Sequence, residues 1–144
     1  ACCAIVFSTN VHAQAFPDPT HWTYSVKKMS ENQYVVSFKL QLDKGWHIWA
    51  MDAGGDGLQI VPSFVFDENK NIELIDEINE LGTMTTTTME GVEGEVNFYS
   101  DKVTYFQNVK GKAGTVIKGK HTYQVCNDMI CLPPKELEFT FTLK

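Results

Sequence analysis

The sequence has no excess of positive charge, and this excludes one large class of partner. It contains 12 Lys and Arg against 18 Asp and Glu, which gives a formal net charge of −6 and an isoelectric point near 5.1. A protein that holds a phosphate backbone needs a broad cationic surface. We therefore expect no nucleic-acid partner.

The sequence also lacks a long hydrophobic run. The longest one, from Ala1 to Phe7, falls far short of the roughly 20 residues that a membrane-spanning helix needs. Direct membrane insertion is therefore not expected. The sequence also has no nucleotide-binding glycine loop and no nucleophile-elbow serine. The composition, 43% hydrophobic and 21% charged over 144 residues, is typical of one globular domain.

The first fifteen residues contain no Asp, Glu, Lys or Arg and end in Ala13-Gln14-Ala15. A small-x-small ending of this kind is what a signal peptidase accepts. We interpret residues 1–15 as an export signal truncated at its front, followed by a domain over residues 16–144. The alternative is a frayed or strand-forming N-terminus.

Cysteine is scarce, and export would reduce it further. Removal of the signal takes away Cys2 and Cys3 and leaves Cys126 and Cys131. Such a pair in an oxidising compartment can form a disulfide. Closing so short a loop contributes about 2 kcal/mol, and a domain of this size already buries around two-thirds of its unfolded surface. The fold should not depend on the bond, which leaves a structural staple and a reactive pair both open.

Alternation of apolar and polar residues dominates the chain and predicts half-buried strands. Short spacing between strands and turn-rich connections favour an all-β fold, an immunoglobulin-like antiparallel β-sandwich. Residues 72–81 have an apolar spacing that a helix would also explain. The strand candidates are residues 22–29, 36–42, 46–51, 62–66, 71–75, 102–109, 115–125 and 137–143.

A threonine-rich stretch, residues 83–89, precedes Glu90-Gly91-Val92-Glu93-Gly94. It is the least regular part of the chain. A loop or edge hairpin there would be able to cover a site, whereas an exposed edge strand explains the β-branched composition equally well.

The strongest local feature is residues 123–134, in which a strand ends at Cys126 and a four-residue turn returns to Cys131. If Tyr123 and Val125 face the core, alternation places Cys126 on the opposite, more accessible face. Thiol-disulfide exchange requires two neighbouring sulfurs of which at least one is reachable. No Lys and no predicted helix N-terminus adjoins either cysteine, so we expect a moderate nucleophile.

The same segment carries a resemblance. Tyr-Gln-x-Cys, a short turn, a second Cys and x-Pro-Pro resemble the active-site hairpin of the N-terminal periplasmic domain of the DsbD family of thiol:disulfide interchange proteins. A looser similarity runs through Asp43-Lys44-Gly45-Trp46-His47-Ile48-Trp49 and residues 97–104, and in all it covers about residues 20–144.

The resemblance implies an immunoglobulin-like periplasmic domain without a cofactor, a component of a protein-disulfide reductase. Such a domain takes electrons from a membrane-embedded DsbD-type reductase domain and passes them to thioredoxin-like periplasmic proteins. By position, Cys131 would form mixed disulfides with partners and Cys126 would resolve them.

The chain differs from that family in two places. Its turn between the cysteines is one residue shorter. In addition, Val92 stands at the position where the family has an aromatic residue that caps the disulfide. Met89, Val92 and Glu93 are the candidates for a cap loop. His47 and Trp49, in the Gly45 to Trp49 strand, are the candidates for a wall of the site.

Some residues of the chain would also suit a metal site or a non-catalytic binding module. The histidines and methionines would suit a soft ion such as Cu(I), but no zinc-finger or ribbon spacing is present, so we expect no metal. A non-catalytic binding module would use the Cys126–Cys131 bond as a staple and a tryptophan as its contact. The residues concerned are His21, His47, His121, Met84, Met89 and Met129 for the ion, and Trp22, Trp46 and Trp49 for the module.

Overall fold

The computed structural model describes residues 17–144, and in this range every regular element is a β-strand. The expected export signal lies outside the described residues. No helix in the described range is long and apolar enough to cross a membrane. The strands are β1 (Thr20–Ser30), β2 (Gln33–Leu42), β3 (His47–Gly54), β4 (Ser63–Phe66), β5 (Ile72–Gly82), β6 (Thr85–Thr88), β7 (Glu95–Tyr99), β8 (Lys102–Gly111), β9 (Val116–Tyr123), β10 (Val125–Cys126) and β11 (Lys135–Thr142).

These strands form an antiparallel sandwich, as the alternation predicts. One layer is a four-stranded sheet in the order β1-β2-β8-β5. The other layer contains a three-stranded sheet, β11-β9-β4, and a four-stranded sheet, β10-β3-β7-β6. Only Gln124 separates β9 from β10, so one stretch of chain serves both sheets of this layer. It also carries the chain from the core to the cysteines.

The core lies between the layers and is rich in aromatic rings. Alternate residues of β2 are buried, among them the fully buried Phe38, and Phe139 and Phe141 of β11 face them from the other layer. A Cβ atom at Gly119 would collide with the carbonyl oxygen of Val65 and the ring of Phe139. Position 119 therefore accepts only glycine, because β9 lies close to the backbone of β4 and the ring of Phe139 there.

The helical alternative for residues 72–81 is wrong, because this segment is strand β5. A bulge explains the misleading spacing: Ile75 and Asn79 oppose Asn108 and Phe106, so four steps on β5 match two on β8. The extra residues change which side chains face the core. Gln107 supports the bulge by donating hydrogen bonds to the carbonyl oxygens of Ile75 and Asp76, both at 3.0 Å.

Strand β3 is also irregular, and side chains from its neighbours hold the irregular part in place. Its register against β7 shifts between Trp49 and Gly54. The carboxylate of Glu80 accepts a hydrogen bond from the backbone N–H of Met51 at 3.0 Å. The Asn97 amide donates to the carbonyl oxygen of Asp52 at 3.0 Å. These bonds fix the later part of β3, and the start of β3, at His47 and Ile48, pairs with β10.

Candidate functional site

The two cysteines lie at the tip of a tightly bonded hairpin. The N–H of Asn127 donates to the carbonyl oxygen of Ile130 at 2.8 Å, and its side-chain Oδ1 accepts from the N–H groups of Met129 and Ile130, both at 2.8 Å. Cys126 and Cys131 face each other in an antiparallel bridge, with Cα atoms 3.9 Å apart, and form a disulfide. The turn and the pairing of β10 with β3 thus hold the two cysteines next to each other.

The two sulfurs differ in accessibility. Cys126 is only 2% exposed, whereas Cys131 is exposed. The prediction that Cys126 is the accessible residue is therefore wrong. Alternation correctly places it opposite the core-facing Val125, but that opposite face is the floor of a cleft and not open surface. Of the two cysteines, Cys131 is the exposed one.

An open cleft of about 480 Å³ contains the disulfide. Of the predicted residues, His47 and Trp49 line it as part of the wall, and Met89 reaches it from the loop after β6. Val92 instead packs on a small cluster under the loop, and Glu93 is exposed and does not line the cleft. The complete lining is His47, Trp49, Met89, Glu90, Cys126, Asn127, Asp128 and Cys131.

His47 is the titratable ring of this cleft. It is 8% exposed, and its ring centroid lies 5.1 Å from that of Trp49 and 4.8 Å from that of Phe98. Its Nε2 atom is buried without a hydrogen-bond partner among the described residues. Burial lowers the pKa of His47 below its ordinary value of 6.5, and the negative charge of Asp128 counteracts only part of that effect.

A comparison with known families and structures identifies the hairpin's context. The family model for "Thiol:disulfide interchange protein DsbD, N-terminal" matches residues 13–143. The chain belongs to this family. No match was found among curated proteins.

Two solved structures share the fold of this DsbD N-terminal family member. The N-terminal periplasmic domain of ScsB from Proteus mirabilis superimposes with a TM-score of 0.66 at 15% identity, over 88% of this chain and 47% of that one. The DsbD n-terminal domain of Neisseria meningitidis in the reduced form gives 0.56 at 14% identity, over 84% of each chain. The chain spans about half the length of the ScsB structure. The immunoglobulin-like sandwich is thereby confirmed.

Sequence reasoning missed three polar residues of the DsbD-type cleft and one aromatic ring beside it. Glu90, Asn127 and Asp128 line the cleft, and Phe98 packs against His47. The Asn-Asp pair immediately after Cys126 was a usable signal, because Asn and Asp are favoured where a turn begins. Glu90 and Phe98 gave no such signal, since they come from different strands and loops that meet only in the folded chain.

The residues behind the alternative readings lie elsewhere. Trp22 and Trp46 are half-buried against the main core, and Trp49 is 7% exposed, so none presents a broad aromatic surface. His21 is exposed and bonded to Asp43 at 2.8 Å, and His121 is buried in the core. Within residues 17–144, no three His, Cys, Asp or Glu side chains converge in a way that would hold a metal ion.

Proposed function

We propose that this chain is a periplasmic thiol-disulfide exchange domain that relays electrons from a membrane-embedded reductase domain to thioredoxin-like proteins. The observation that carries the proposal is the asymmetric disulfide at the hairpin tip, with Cys131 exposed and Cys126 buried beside it. The proposal places the working domain in residues 16–144 and an export segment in residues 1–15.

The asymmetry supports a different task for each sulfur. In the reduced domain, the Cys131 thiolate attacks a disulfide of the partner, and one partner sulfur leaves as a thiolate. Cys126 then attacks Cys131, the Cys126–Cys131 bond forms, and the second partner sulfur leaves. Two electrons pass to the partner. Because Cys126 is 2% exposed, it can reach Cys131 but is shielded from a visiting protein.

The surface around Cys131 suits contact with another protein. Met129 is 90% exposed and Ile130 is 48% exposed, and both precede Cys131 in the turn. Apolar side chains that flank a reactive sulfur can be covered when the partner's disulfide approaches. A partner that reaches Cys131 must also pass Glu90 and Asp128, which make this end of the cleft acidic.

Trapping experiments test the relay. A Cys126→Ala variant keeps the exposed thiol and should accumulate a mixed disulfide with an oxidised thioredoxin-like protein. The matched variant Cys131→Ala keeps only the buried thiol and should trap little. Absence of an adduct with Cys126→Ala by mass spectrometry, or equal trapping by both variants, would count against the proposal. Each variant should lose only about 2 kcal/mol of unfolding free energy through loss of the disulfide.

A cap formed by residues 89–94 is the second part of the proposal. Met89 reaches the cleft, Val92 holds the loop on the cluster around Trp49, and Glu93 points to the exposed side. The N–H of Val92 donates to the carbonyl oxygen of Met89 at 3.2 Å, which closes a turn. This loop is positioned to restrict access to the disulfide.

Truncation of the cap tests that role. In a Met89→Ala, Glu90→Ala double variant, a small thiol should reduce the disulfide faster than in the parent chain. Thr87→Ala on the exposed strand β6 is the matched control. If the double variant is reduced at the parental rate, the loop does not gate the site.

A further inference from the structure

The pairing of β3 with β10 places a histidine directly opposite one of the two cysteines. Cys126 is the register partner of His47, and Val125 is the partner of Ile48. Val125 and Ile48 are 3% and 0% exposed and belong to the main core. Directly opposed residues project from the same face, with Cβ atoms about 4.5–5.5 Å apart. His47 and Cys126 therefore share the other face, inside the cleft.

Five buried polar side-chain atoms have no hydrogen-bond partner among the described residues, and Nε2 of His47 is one of them. Of the five residues concerned, only His47 lines the cleft that also contains both cysteines, and it is 8% exposed. A buried polar atom without a partner calls for an explanation. When the disulfide is reduced, Cys126 carries a thiol on the same face as His47 and is the candidate for that partner.

The resolving step needs a proton acceptor at this place. A free thiol has a pKa of about 8.5, so only a few per cent is thiolate at neutral pH, and burial reduces that fraction further. Cys126 is buried, and no Lys or Arg lines the cleft to stabilise its thiolate. Glu90 and Asp128 line it instead, and their negative charges oppose ionisation of the thiol.

We propose that His47 accepts the proton of the Cys126 thiol when Cys126 attacks the mixed disulfide, and that it delivers a proton to the same sulfur when the Cys126–Cys131 bond is reduced. This inference rests on the proposed exchange function. It assigns a proton-handling role to a residue that the packing alone does not explain.

The step balances in atoms and electrons. The S–H proton of Cys126 moves to Nε2 of His47, and the Cys126 sulfur forms a bond with the sulfur of Cys131. The bond between Cys131 and the partner breaks, and its electron pair leaves on the partner sulfur, which takes a proton from water. The imidazolium then releases its proton to water. The two cysteines are oxidised by two electrons, and the partner disulfide is reduced to two thiols.

The ionisation of His47 suits this role near neutral pH. Burial lowers its pKa below 6.5, and Asp128 opposes the shift, so the ring is neutral and able to accept a proton at pH 7. The groups that line its cleft and can titrate or carry charge are Asp128, Glu90, Cys126 and Cys131. Acidification through the pKa of His47 should therefore slow the resolving step.

Rapid-quench mass spectrometry of the reduced chain with oxidised glutathione separates the two steps. The first attack gives a glutathione adduct, and the second converts it to the intramolecular disulfide. Since a free thiol of pKa 8.5 is about 3% ionised at pH 7, complete deprotonation of such a thiol would accelerate the second step by about 30-fold, and by more for a buried thiol. We expect His47→Gln to slow it about tenfold at pH 7 and to make the adduct accumulate. His21→Gln, an exposed histidine outside the cleft, is the matched control.

The pH profile of the second step decides between proton transfer and a packing role. Loss of the inflection below pH 6.5 in His47→Gln, with an unchanged first step, supports the proposal. Equal slowing of both steps, or a second step with the parental rate and profile, overturns it. If His47→Gln does not fold, the parental profile decides: absence of an inflection at the pKa of His47 measured by NMR overturns the proposal. Failure of the parental chain to exchange with a thioredoxin-like protein would instead refute the proposed function.

Discussion

The core and the cleft of this sandwich each contain a buried histidine, and the surroundings of the two rings differ. His121 is 1% exposed, packs parallel to the ring of Phe64 at 5.5 Å, and its Nε2 is bonded to the Tyr24 hydroxyl at 2.8 Å. His47 is 8% exposed and lines an open cleft, and its Nε2 has no partner within residues 17–144, as is also true of Nδ1 of His121. Burial lowers the pKa of both rings, to about 4 for His121.

The neighbours of the two histidines predict different effects of mutations in the core and in the cleft. Around His121 the neighbours are aromatic rings from both layers, so the ring fills space and its charge would have no partner. Around His47 the neighbours include two cysteines and two carboxylates, so the ring meets groups that can exchange protons. We expect changes near His121 to affect folding and changes near His47 to affect exchange.

The largest effect should come from opening the aromatic core. Phe38 is fully buried and packs against the rings of Tyr24, Phe64, Phe66, His121, Phe139 and Phe141. Phe38→Ala should reduce the free energy of unfolding by about 3–5 kcal/mol, because the surrounding rings can collapse only partly into the cavity. Urea unfolding of the oxidised protein measures this loss.

Trp49→Ala is the comparison variant at the cleft. Trp49 belongs to a small cluster with Ala53 and Val96 beside solvent, where water can enter the space left by the ring. Its loss of stability should be smaller than that of Phe38→Ala. Equal losses would show that the cleft end supports the fold as much as the core does, and the proposed division would be wrong.

A second effect, somewhat smaller, should appear on acidification. The pKa of His121 is about 4 in the folded chain and about 6.5 when unfolded, so the unfolded state binds more protons between these values. Stability should therefore fall as the pH drops from 6.5 to 4, by about 3 kcal/mol in full. His121→Phe retains an aromatic ring and should remove this dependence.

Other groups also make the free energy of unfolding depend on pH, but they are present in both the parent chain and His121→Phe. Hydrogen bonds to Lys135 and Thr20 lower the pKa of Asp18 despite opposition from burial, so its contribution is lost below about pH 3.8. Burial raises the pKa of Glu80, which has the opposite effect on stability. The difference between the parent and His121→Phe isolates the histidine. Parallel stability curves between pH 4 and 6.5 would contradict the assignment.

The sequence allowed much of the core to be predicted and less of the site. Alternation identified β2, β8 and β11, because one face of each strand is buried in a regular sheet. It failed in residues 72–81, where the bulge opposite β8 imitates a helical period. It also gave the correct side for Cys126 but not its burial, since periodicity reveals which face a residue takes and not what covers that face.

The candidate site followed the same rule. The hairpin was recognisable because its cysteines are close in sequence and joined by one turn. His47 and Trp49 were predicted as site residues because they lie in the segment that resembles the family. Met89 was predicted because it immediately precedes the glycine-flanked loop. Asp128 was missed although it lies in the turn between the cysteines, whereas Glu90 was not found because it belongs to a separate loop that meets the hairpin only in the folded chain.

The smallest expected effect is also the sharpest test of the contrast between the histidines. Asp128 raises the pKa of His47, although burial outweighs it. Asp128→Asn should therefore lower the pKa of His47 further and leave that of His121 unchanged, as measured by NMR titration of the imidazole resonances. Glu93→Gln, an exposed carboxylate outside the cleft, is the matched control. If both variants leave His47 unchanged, burial alone sets its ionisation and the turn does not influence it. Burial would then set the pKa of the histidine in the cleft as it does in the core, and the two regions would differ only in the presence of the cysteines.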